Sequence, residues 1–237
     1  MEERLARMVA LVGEIALQRL ADLRIIIFGV GGVGSVCAES LIRSGVCNLT
    51  MVDCDVVVES NINRQLPALN STLGRPKVEV LRDRFLDINP KAQITALQMR
   101  YSAETREQFD FKNYDVVIDA IDSLSPKTDL LATASVAGCT VFCSLGAAGK
   151  LDPTKVRTAS IWDTTGCPLG KLVRNGLRKR EFQGDFMAVY SQEPSMLKGK
   201  TGEPVVLGSA MPVTAAFGLA LSSLVIRHAV ALVKENC

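Results

Sequence analysis

The sequence has few of the residues that build metal centres, base-stacking surfaces and disulfide frameworks. Among 237 residues there is one histidine (His228), one tryptophan and no Cys-x-x-Cys pair. A zinc site is therefore not expected, because the seven cysteines have no repeated spacing and one histidine cannot complete a ligand set. With only 12 aromatic side chains, base stacking on an aromatic platform is not expected either. The charged, helix-patterned residues 1–24 do not resemble a signal peptide, so we expect a cytoplasmic protein.

An excess of charge of one sign is also missing. The 27 basic and 25 acidic side chains leave a net charge of +2, which argues against a globally basic nucleic-acid binder. Hydrophobic residues make up 48% and charged residues 22%, a balance that excludes intrinsic disorder and predicts a soluble globular protein.

One uncharged run, residues 205–226, is long enough to cross a membrane. It contains Gly208, Pro212 and Gly218 and is rich in small residues rather than in leucine. Pro212 suits the first turn of a helix, which we predict to continue to about Lys234. A core or dimer-interface helix is the favoured interpretation, and membrane contact is the alternative; stable membrane insertion is not expected.

Short apolar strand patterns alternate with helical patterns along residues 1–150. This alternation predicts right-handed crossovers and a doubly wound, Rossmann-like, mostly parallel sheet. For residues 151–237 we expect an antiparallel extension and the long C-terminal helix, within the same domain. The predicted strands are Ile25–Val30, Leu49–Val52, Ile94–Leu97, Tyr114–Ala120, Thr140–Ser144, Val156–Trp162 and Met187–Tyr190, and the predicted helices between them include Pro76–Asn89, Lys127–Ala137 and Leu169–Arg180.

A glycine-rich turn follows the first strand and precedes a helical pattern. Glycine lets the backbone approach a ligand closely, and the N–H groups of a helix N-terminus attract an anion. Asp53 follows 19 residues after Gly34 at the end of the second strand, where a carboxylate accepts hydrogen bonds from ribose hydroxyls. Together these features predict a nucleotide site that includes Gly29, Gly31, Gly32, Gly34 and Asp53.

Further charged residues favour a triphosphate over a dinucleotide. Lys77 lies at a predicted helix N-terminus, where a cation is unfavourable unless an anion is beside it. Arg64 and Lys77 together would neutralise a triphosphate, and Asp122 after the fourth strand would hold Mg²⁺ against it. A nicotinamide oxidoreductase, or a nucleotide-binding module without catalysis, is a competing hypothesis that leaves Arg64 and Lys77 unexplained.

The same motifs, in this order, resemble those of the ubiquitin-activating-enzyme-like (ThiF/MoeB/HesA) adenylyltransferases. The motifs are the glycine turn, Asp53-x-Asp55, Ser60-Asn61-x-x-Arg64-Gln65, Gly74-x-Pro76-Lys77 and Asp119-x-x-Asp122, and the resemblance extends from about Arg4 to Lys234. It implies adenylation of a carboxylate by MgATP, with ATP bound by residues that include Asp55, Asn61, Arg64, Gln65 and Lys77. It also implies a homodimer in which Arg4 or Arg7 reaches the ATP of the partner subunit.

Within this superfamily the sequence is most similar to the tRNA threonylcarbamoyladenosine dehydratases. The similarity is carried by Glu14-x-Ala16-Leu17-Gln18-Arg19, Asn61-x-Asn63-Arg64-Gln65, Asp119-Ala120-Ile121-Asp122-Ser123-x-x-Pro126-Lys127, the segment 146–154 and the segment 189–193. It implies ATP-dependent closure of the threonylcarbamoyl side chain of a modified adenosine beside the tRNA anticodon. The alternative within the superfamily is activation of a ubiquitin-like sulfur carrier, although those branches usually have a Cys₄ zinc site that is missing here.

The segment 171–180 has five cations in ten residues and no acid. It predicts a helix that follows tRNA phosphates, and an ordinary solvated helix face is the alternative. The cations are Lys171, Arg174, Arg178, Lys179 and Arg180, and Lys198 and Lys200 would extend the patch.

Cysteine chemistry is expected to be secondary. Cys167, just before the basic helix, is the best candidate for a reactive thiol, but an incidental thiol is the favoured interpretation. Some dehydratases have a Cys-containing insert where this chain has Pro194–Leu207 without cysteine, so a sulfur-relay role and a sulfur-transfer partner are doubtful.

Overall fold

The computed structural model describes residues 3–196 and 208–234. Its strands are β1 (Arg24–Phe28), β2 (Asn48–Val52), β3 (Gln93–Leu97), β4 (Val116–Asp119), β5 (Thr140–Ser144), β6 (Val156–Ser160) and β7 (Met187–Ser191). Its α-helices are α1 (Ala6–Val12), α2 (Glu14–Asp22), α3 (Gly34–Arg43), α4 (Lys77–Ile88), α5 (Leu124–Val136), α6 (Pro168–Lys179) and α7 (Met211–Lys234). Each predicted strand and helix is present, with ends that differ by up to three residues.

The strands form one seven-stranded sheet in the order β3-β2-β1-β4-β5-β7-β6. Each neighbouring pair is parallel except β6 and β7, which run antiparallel. This arrangement confirms the predicted doubly wound sheet with an antiparallel extension. The strand order reverses beside β1, with β2 on one side and β4 on the other, and ligands bind at such a point, beyond the carboxyl ends of the strands.

Helices cover both faces of the sheet, so β1, β4 and β5 are almost continuously buried. On one face α7 packs against α2 and α3. A Cβ atom at Gly218 of α7 would lie 2.5 Å from the carbonyl oxygen of Val33, so glycine is required for this close approach. Among the described helices, α7 alone is long and apolar enough to cross a membrane. Its Phe217, Leu221 and Val225 are fully buried in the core, which favours the core interpretation.

Two predicted boundaries differ from those in the structure. The strand predicted to reach Trp162 ends at Ser160, because the Ser160 hydroxyl accepts a hydrogen bond from the Trp162 N–H and starts a 3-10 turn. Helix α5 begins at Leu124, three residues earlier than predicted. Lys198, Lys200 and most of the segment Pro194–Leu207 lie outside the described residues.

Candidate nucleotide-binding site

A cavity of about 760 Å³ lies at the carboxyl ends of β1, β2, β4 and β5. This is the position at which the strand order predicts ligand binding. Nearly all of the predicted nucleotide-site residues line the cavity, namely Gly29, Gly31, Gly32, Asp53, Asp55, Asn61, Arg64, Gln65, Lys77 and Asp122. Its other side is formed by the loop after β5 and the start of α6.

Gly34 differs from the other predicted glycines because it does not line the cavity. A Cβ atom there would lie 1.8 Å from the carbonyl oxygen of Gly29, so this glycine allows α3 to pack against the end of β1. Gly29 has φ +86° and also lacks room for a side chain, since a Cβ atom would lie 2.7 Å from the Ala120 carbonyl oxygen. Gly34 therefore has a packing role at the base of the turn.

Asp53 organises the glycine turn. Its Oδ2 accepts a hydrogen bond from the Val30 N–H at 2.8 Å, and its Oδ1 accepts one from the Asp55 N–H at 2.9 Å. The carboxylate is thus fixed at the end of β2, between the turn and the following loop. Each carboxylate oxygen has a further lone pair, so hydrogen bonding to a ribose remains chemically available.

Lys77 is 4% exposed, and its Nζ lies 2.9 Å from Oδ2 of Asp55. The hydrogen bond from Lys77 holds the pKa of Asp55 below its ordinary value, and the lysine charge adds to this effect. The sequence predicted that a cation at this helix N-terminus needs an anion beside it. In this structure Asp55 provides that anion.

Arg64 lies beside the glycine turn, where a Cβ atom at Gly32 would be 3.3 Å from Arg64 Cγ. Its guanidinium donates to the Ser60 carbonyl oxygen at 2.9 Å and to Asn63 Oδ1 at 2.8 Å. Asn61, which is buried, accepts a hydrogen bond from the Val58 N–H at 3.3 Å. The side chains of this segment are therefore held by local hydrogen bonds.

The cavity fits a nucleotide triphosphate on three structural grounds. Gln65 is 8% exposed, and its Oε1 is the one buried side-chain polar atom without a hydrogen-bond partner in the described part of the chain. A buried polar atom in this state indicates a missing ligand or water. The glycine turn has no Cβ atom at Gly29, Gly31 and Gly32, and two cations, Arg64 and Lys77, line the same cavity.

Asp122 is exposed and lines the cavity, and Ser123 Oγ donates to its Oδ1 at 3.2 Å. A single carboxylate suits Mg²⁺ that is bound mainly by phosphates and water, because Mg²⁺ commonly takes one or two protein carboxylates beside a substrate phosphate. The residues present therefore fit a magnesium–triphosphate complex.

A buried charged pair beneath the cavity was not assigned a role from the sequence. Asp119 and Lys127 are both fully buried, and Lys127 Nζ lies 2.5 Å from Asp119 Oδ2. Burial raises the pKa of Asp119, and the Lys127 charge opposes that rise. Both residues belong to the motif quoted for the dehydratase resemblance, but their pairing depends on the packing of α5 against β4.

Two further cavity residues were also missed. Lys150 is 4% exposed and donates to the carbonyl oxygens of Ser191 and Glu193, which joins the loop after β5 to the segment after β7. Tyr101 donates to Asp129 Oδ2 at 2.9 Å, and burial raises its pKa. Tyr101 belongs to no motif of the sequence analysis, and Lys150 lies in the segment 146–154 but was given no role of its own.

The predicted thiol candidate, Cys167, is buried beside the cavity, and its Sγ accepts a hydrogen bond from the Gly170 N–H at 3.5 Å. This contact makes Cys167 the N-cap of α6. The six cysteines in the described residues are free thiols. A structural capping role therefore accounts for its position.

Several cations of the basic segment 171–180 make contacts within the protein. Arg174 donates to Thr164 Oγ1, Arg178 lies 5.4 Å from the centre of the Trp162 ring, and Arg180 lies 3.3 Å from Asp129. Lys171 and Lys179 are exposed. Three of the five predicted tRNA-binding cations thus also stabilise the protein.

Arg4 and Arg7 do not line the cavity of their own chain. Arg4 lies in a 3-10 turn and donates to the Ile88 carbonyl oxygen at 2.8 Å, whereas Arg7 lies in α1 and is exposed. Neither arginine therefore contributes to the cavity formed by its own chain.

Comparison with known proteins places the chain in a family. The model of the ThiF family matches residues 3–227. The tRNA threonylcarbamoyladenosine dehydratase of Bacillus subtilis (strain 168) is 42% identical over 182 residues, which are 77% of this chain and 72% of the relative. The dehydratase of Haemophilus influenzae is 36% identical over 229 residues, which are 89% of this chain and 87% of that protein.

Solved structures agree with this assignment. The structure of the E. coli enzyme, TcdA, in complex with ATP superimposes with a TM-score of 0.91 at 32% identity, covering 99% of this chain and 97% of that one. Its complex with AMP gives a TM-score of 0.90. Given the family model's match to residues 3–227 and the similarity to these relatives along most of the chain, the chain belongs to the ThiF family.

Proposed function

We propose that this protein is an ATP-dependent tRNA threonylcarbamoyladenosine dehydratase. The observation that carries the proposal is the cavity, in which a glycine turn, Arg64, Lys77 and Asp122 surround one space in a chain 42% identical to a dehydratase. The substrate is tRNA with a threonylcarbamoyl group on an adenosine. Its free carboxylate is the group that ATP would activate.

The chemistry follows from the poor leaving group of a carboxylate. The substrate carboxylate oxygen attacks the α-phosphorus of ATP, and pyrophosphate leaves with the electrons of the broken phosphoanhydride bond. A nucleophile within the same side chain then attacks the acyl carbon, closing a ring and releasing AMP and a proton. Because this closure is intramolecular, effective molarities of about 10⁵–10⁸ M make an enzyme nucleophile unnecessary. That agrees with the capping role of Cys167.

The protein groups act mainly by electrostatics and position. Lys77 and Arg64 would bind the phosphates and neutralise charge that develops on the leaving pyrophosphate. Asp53 would accept hydrogen bonds from the ribose, and Asn61, Gln65 and Asp55 would complete the nucleotide site. Asp122 would hold Mg²⁺, which supplies charge neutralisation on the phosphates when it is bound.

The quaternary structure, location and domain organisation belong to the same proposal. We place the protein in the cytoplasm, as a homodimer in which Arg4 or Arg7 reaches the partner's ATP. Residues 1–150 would bind the nucleotide, whereas residues 151–237 would bind substrate and contribute to dimerisation. The exposed cations of α6 would contact tRNA phosphates. No zinc is required by this mechanism.

Activation of a sulfur-carrier protein is the second candidate function, because both candidates share the first chemical step. Exchange of radiolabelled pyrophosphate into ATP separates them. For a dehydratase, exchange should depend on tRNA that has threonylcarbamoyladenosine and should not respond to a small protein ending in Gly-Gly. Exchange driven by the carrier protein alone would contradict the proposal.

A further inference from the structure

Asp119 and Lys127 lie directly beneath the loop that contains Asp122. Asp119 is the last residue of β4, and Lys127 is in the first turn of α5 that follows this loop. Their charged atoms are 2.5 Å apart and both side chains are fully buried. Cys143 of β5 donates to the same carboxylate oxygen at 3.1 Å. One carboxylate thus joins β4, β5 and α5 at the floor of the cavity.

The second oxygen of Asp119 holds the loop itself. Asp119 Oδ1 accepts a hydrogen bond from the Ile121 N–H at 3.0 Å. The Ala120–Ile121 peptide is also packed against the glycine turn, because a Cβ atom at Gly29 would lie 2.7 Å from Ala120 O and 3.3 Å from Ile121 N. This peptide therefore lies between the phosphate-binding turn and Asp122, and Asp119 fixes its orientation.

Stability alone is a poor explanation for this pair. Transfer of two charges from water to the interior has a large desolvation cost, and apolar side chains of similar volume often stabilise a core equally well. The neighbouring residues Ile118, Leu130 and Leu131 are apolar and fully buried, so packing does not require charge here. An apolar side chain at position 119 could not accept the hydrogen bond from Ile121.

We propose that Asp119 and Lys127 are positioning residues that place the Asp122 carboxylate against the magnesium ion of bound ATP. Lys127 orients the Asp119 carboxyl, Asp119 holds the Ala120–Ile121 peptide, and that peptide sets the distance from the glycine turn to Asp122. Their contribution is made through Asp122 and not through contact with the substrate. The inference depends on the proposed function for ATP and magnesium.

The test is calorimetric titration with ATP, with and without MgCl₂, so that binding is measured without turnover. The variant is the double substitution Asp119→Leu and Lys127→Met, which keeps side-chain volume approximately but removes both charges and the acceptor for Ile121. We expect ATP affinity without magnesium to stay close to wild type. The gain in affinity on adding magnesium should fall by about 10-fold, the usual effect of losing the support of a metal ligand.

A double-mutant cycle with Asp122→Asn distinguishes positioning from a general structural role. If the pair acts through Asp122, combining the three substitutions should reduce the magnesium-dependent gain no further than Asp122→Asn alone. The matched control is Glu39→Gln with Arg84→Met, which removes an ion pair between α3 and α4 that does not line the cavity. That control should keep the full magnesium-dependent gain.

Three outcomes would overturn the inference. The first is an increase in ATP affinity on adding magnesium that is as large in the Asp119/Lys127 double variant as in the wild type. The second is a loss of this increase that adds to the loss caused by Asp122→Asn. The third is that the Asp119/Lys127 double variant is unfolded in a thermal melt while the Glu39/Arg84 control variant stays folded. If wild-type protein binds no ATP at all, the proposed function itself fails, and this result is readily distinguished from the other three.

Discussion

The ammonium of Lys77 lies 2.9 Å from the Asp55 carboxylate, so the cation assigned to the ATP phosphates also has an anionic partner within the protein. The Lys77 side chain is 5% exposed, whereas that of Asp55 is 56% exposed. A well-solvated carboxylate loses little when its partner leaves, because water replaces the lysine. We therefore expect Lys77 to exchange Asp55 for a phosphate when ATP binds.

The first prediction concerns the two phosphate-binding cations. Lys77→Ala or Arg64→Ala should reduce the rate of tRNA-dependent pyrophosphate exchange by about 10²–10³-fold, since each removes charge stabilisation in the transition state. Circular dichroism should show an intact fold. Lys155→Ala, which removes a lysine outside the cavity, is the matched control and should exchange at the wild-type rate. Wild-type exchange in the Lys77 or Arg64 variant would refute the site assignment.

The second prediction concerns the stability of the α3–α4 contact at low pH. Burial of Glu39 raises its pKa, but hydrogen bonds from Arg84 and Arg43 outweigh this effect and hold the pKa below the ordinary 4.5. Because the folded pKa is the lower one, the contribution to stability is present above about pH 4.5. It is lost as the pH falls through the folded pKa.

Glu39→Gln should therefore lower the free energy of unfolding by about 1 kcal/mol at pH 7, a value that allows for solvent screening of the half-exposed arginines. At pH 3 the variant and the wild type should differ less. Urea denaturation at both pH values measures this difference. Glu107→Gln at an exposed position is the control, and an equal Glu39 effect at both pH values would contradict the assignment.

The third prediction separates the cations of α6. Lys171→Ala with Lys179→Ala should weaken tRNA binding and reduce the slope of log K against log salt by about 2 if each lysine contacts one phosphate. Thermal stability should hardly change, because both side chains are exposed. Arg180→Ala should in addition lower the melting temperature, since Arg180 bonds to Asp129. An unchanged salt slope in the lysine variant would identify the helix as an ordinary solvated face.

The fourth prediction concerns the subunit that provides the N-terminal arginine. Arg4→Ala with Arg7→Ala should be inactive, as should Lys77→Ala, because each removes a group needed at every site. If an arginine reaches the partner's ATP, subunits of the two variants should form mixed dimers with one complete site. Mixing should then restore roughly a quarter of wild-type activity for random association of subunits. No recovery in mixtures whose subunits are shown to exchange would argue for action within one chain.

The sequence was sufficient to predict features that depend on local pattern. Continuous apolar runs such as Ile25–Val30 identified the buried strands, and the glycine turn with Asp53 at the end of the next strand predicted where the cavity lies. The order of the motifs identified the family. Each of these signals can be read from neighbouring residues or from the order of motifs along the chain. None of them requires knowledge of how the elements pack.

Contacts between distant elements could not be predicted in the same way. The motif contains Gly34, but only the fold shows that this glycine packs closely against Gly29. Lys127 was predicted to be helical, yet its burial against Asp119 depends on how α5 lies on the sheet. Arg180 and Asp129 are 51 residues apart, so the internal role of a cation in the basic segment was not visible.

The most direct test of the proposed function is to incubate the protein and ATP with tRNA that has or lacks threonylcarbamoyladenosine, followed by mass spectrometry of the digested nucleosides. We predict that the modified nucleoside loses the mass of one water, that this loss requires ATP, and that AMP is formed only with the modified tRNA. ATP turnover with an unchanged nucleoside mass would contradict the dehydratase assignment, although it would be compatible with adenylation of a different carboxylate.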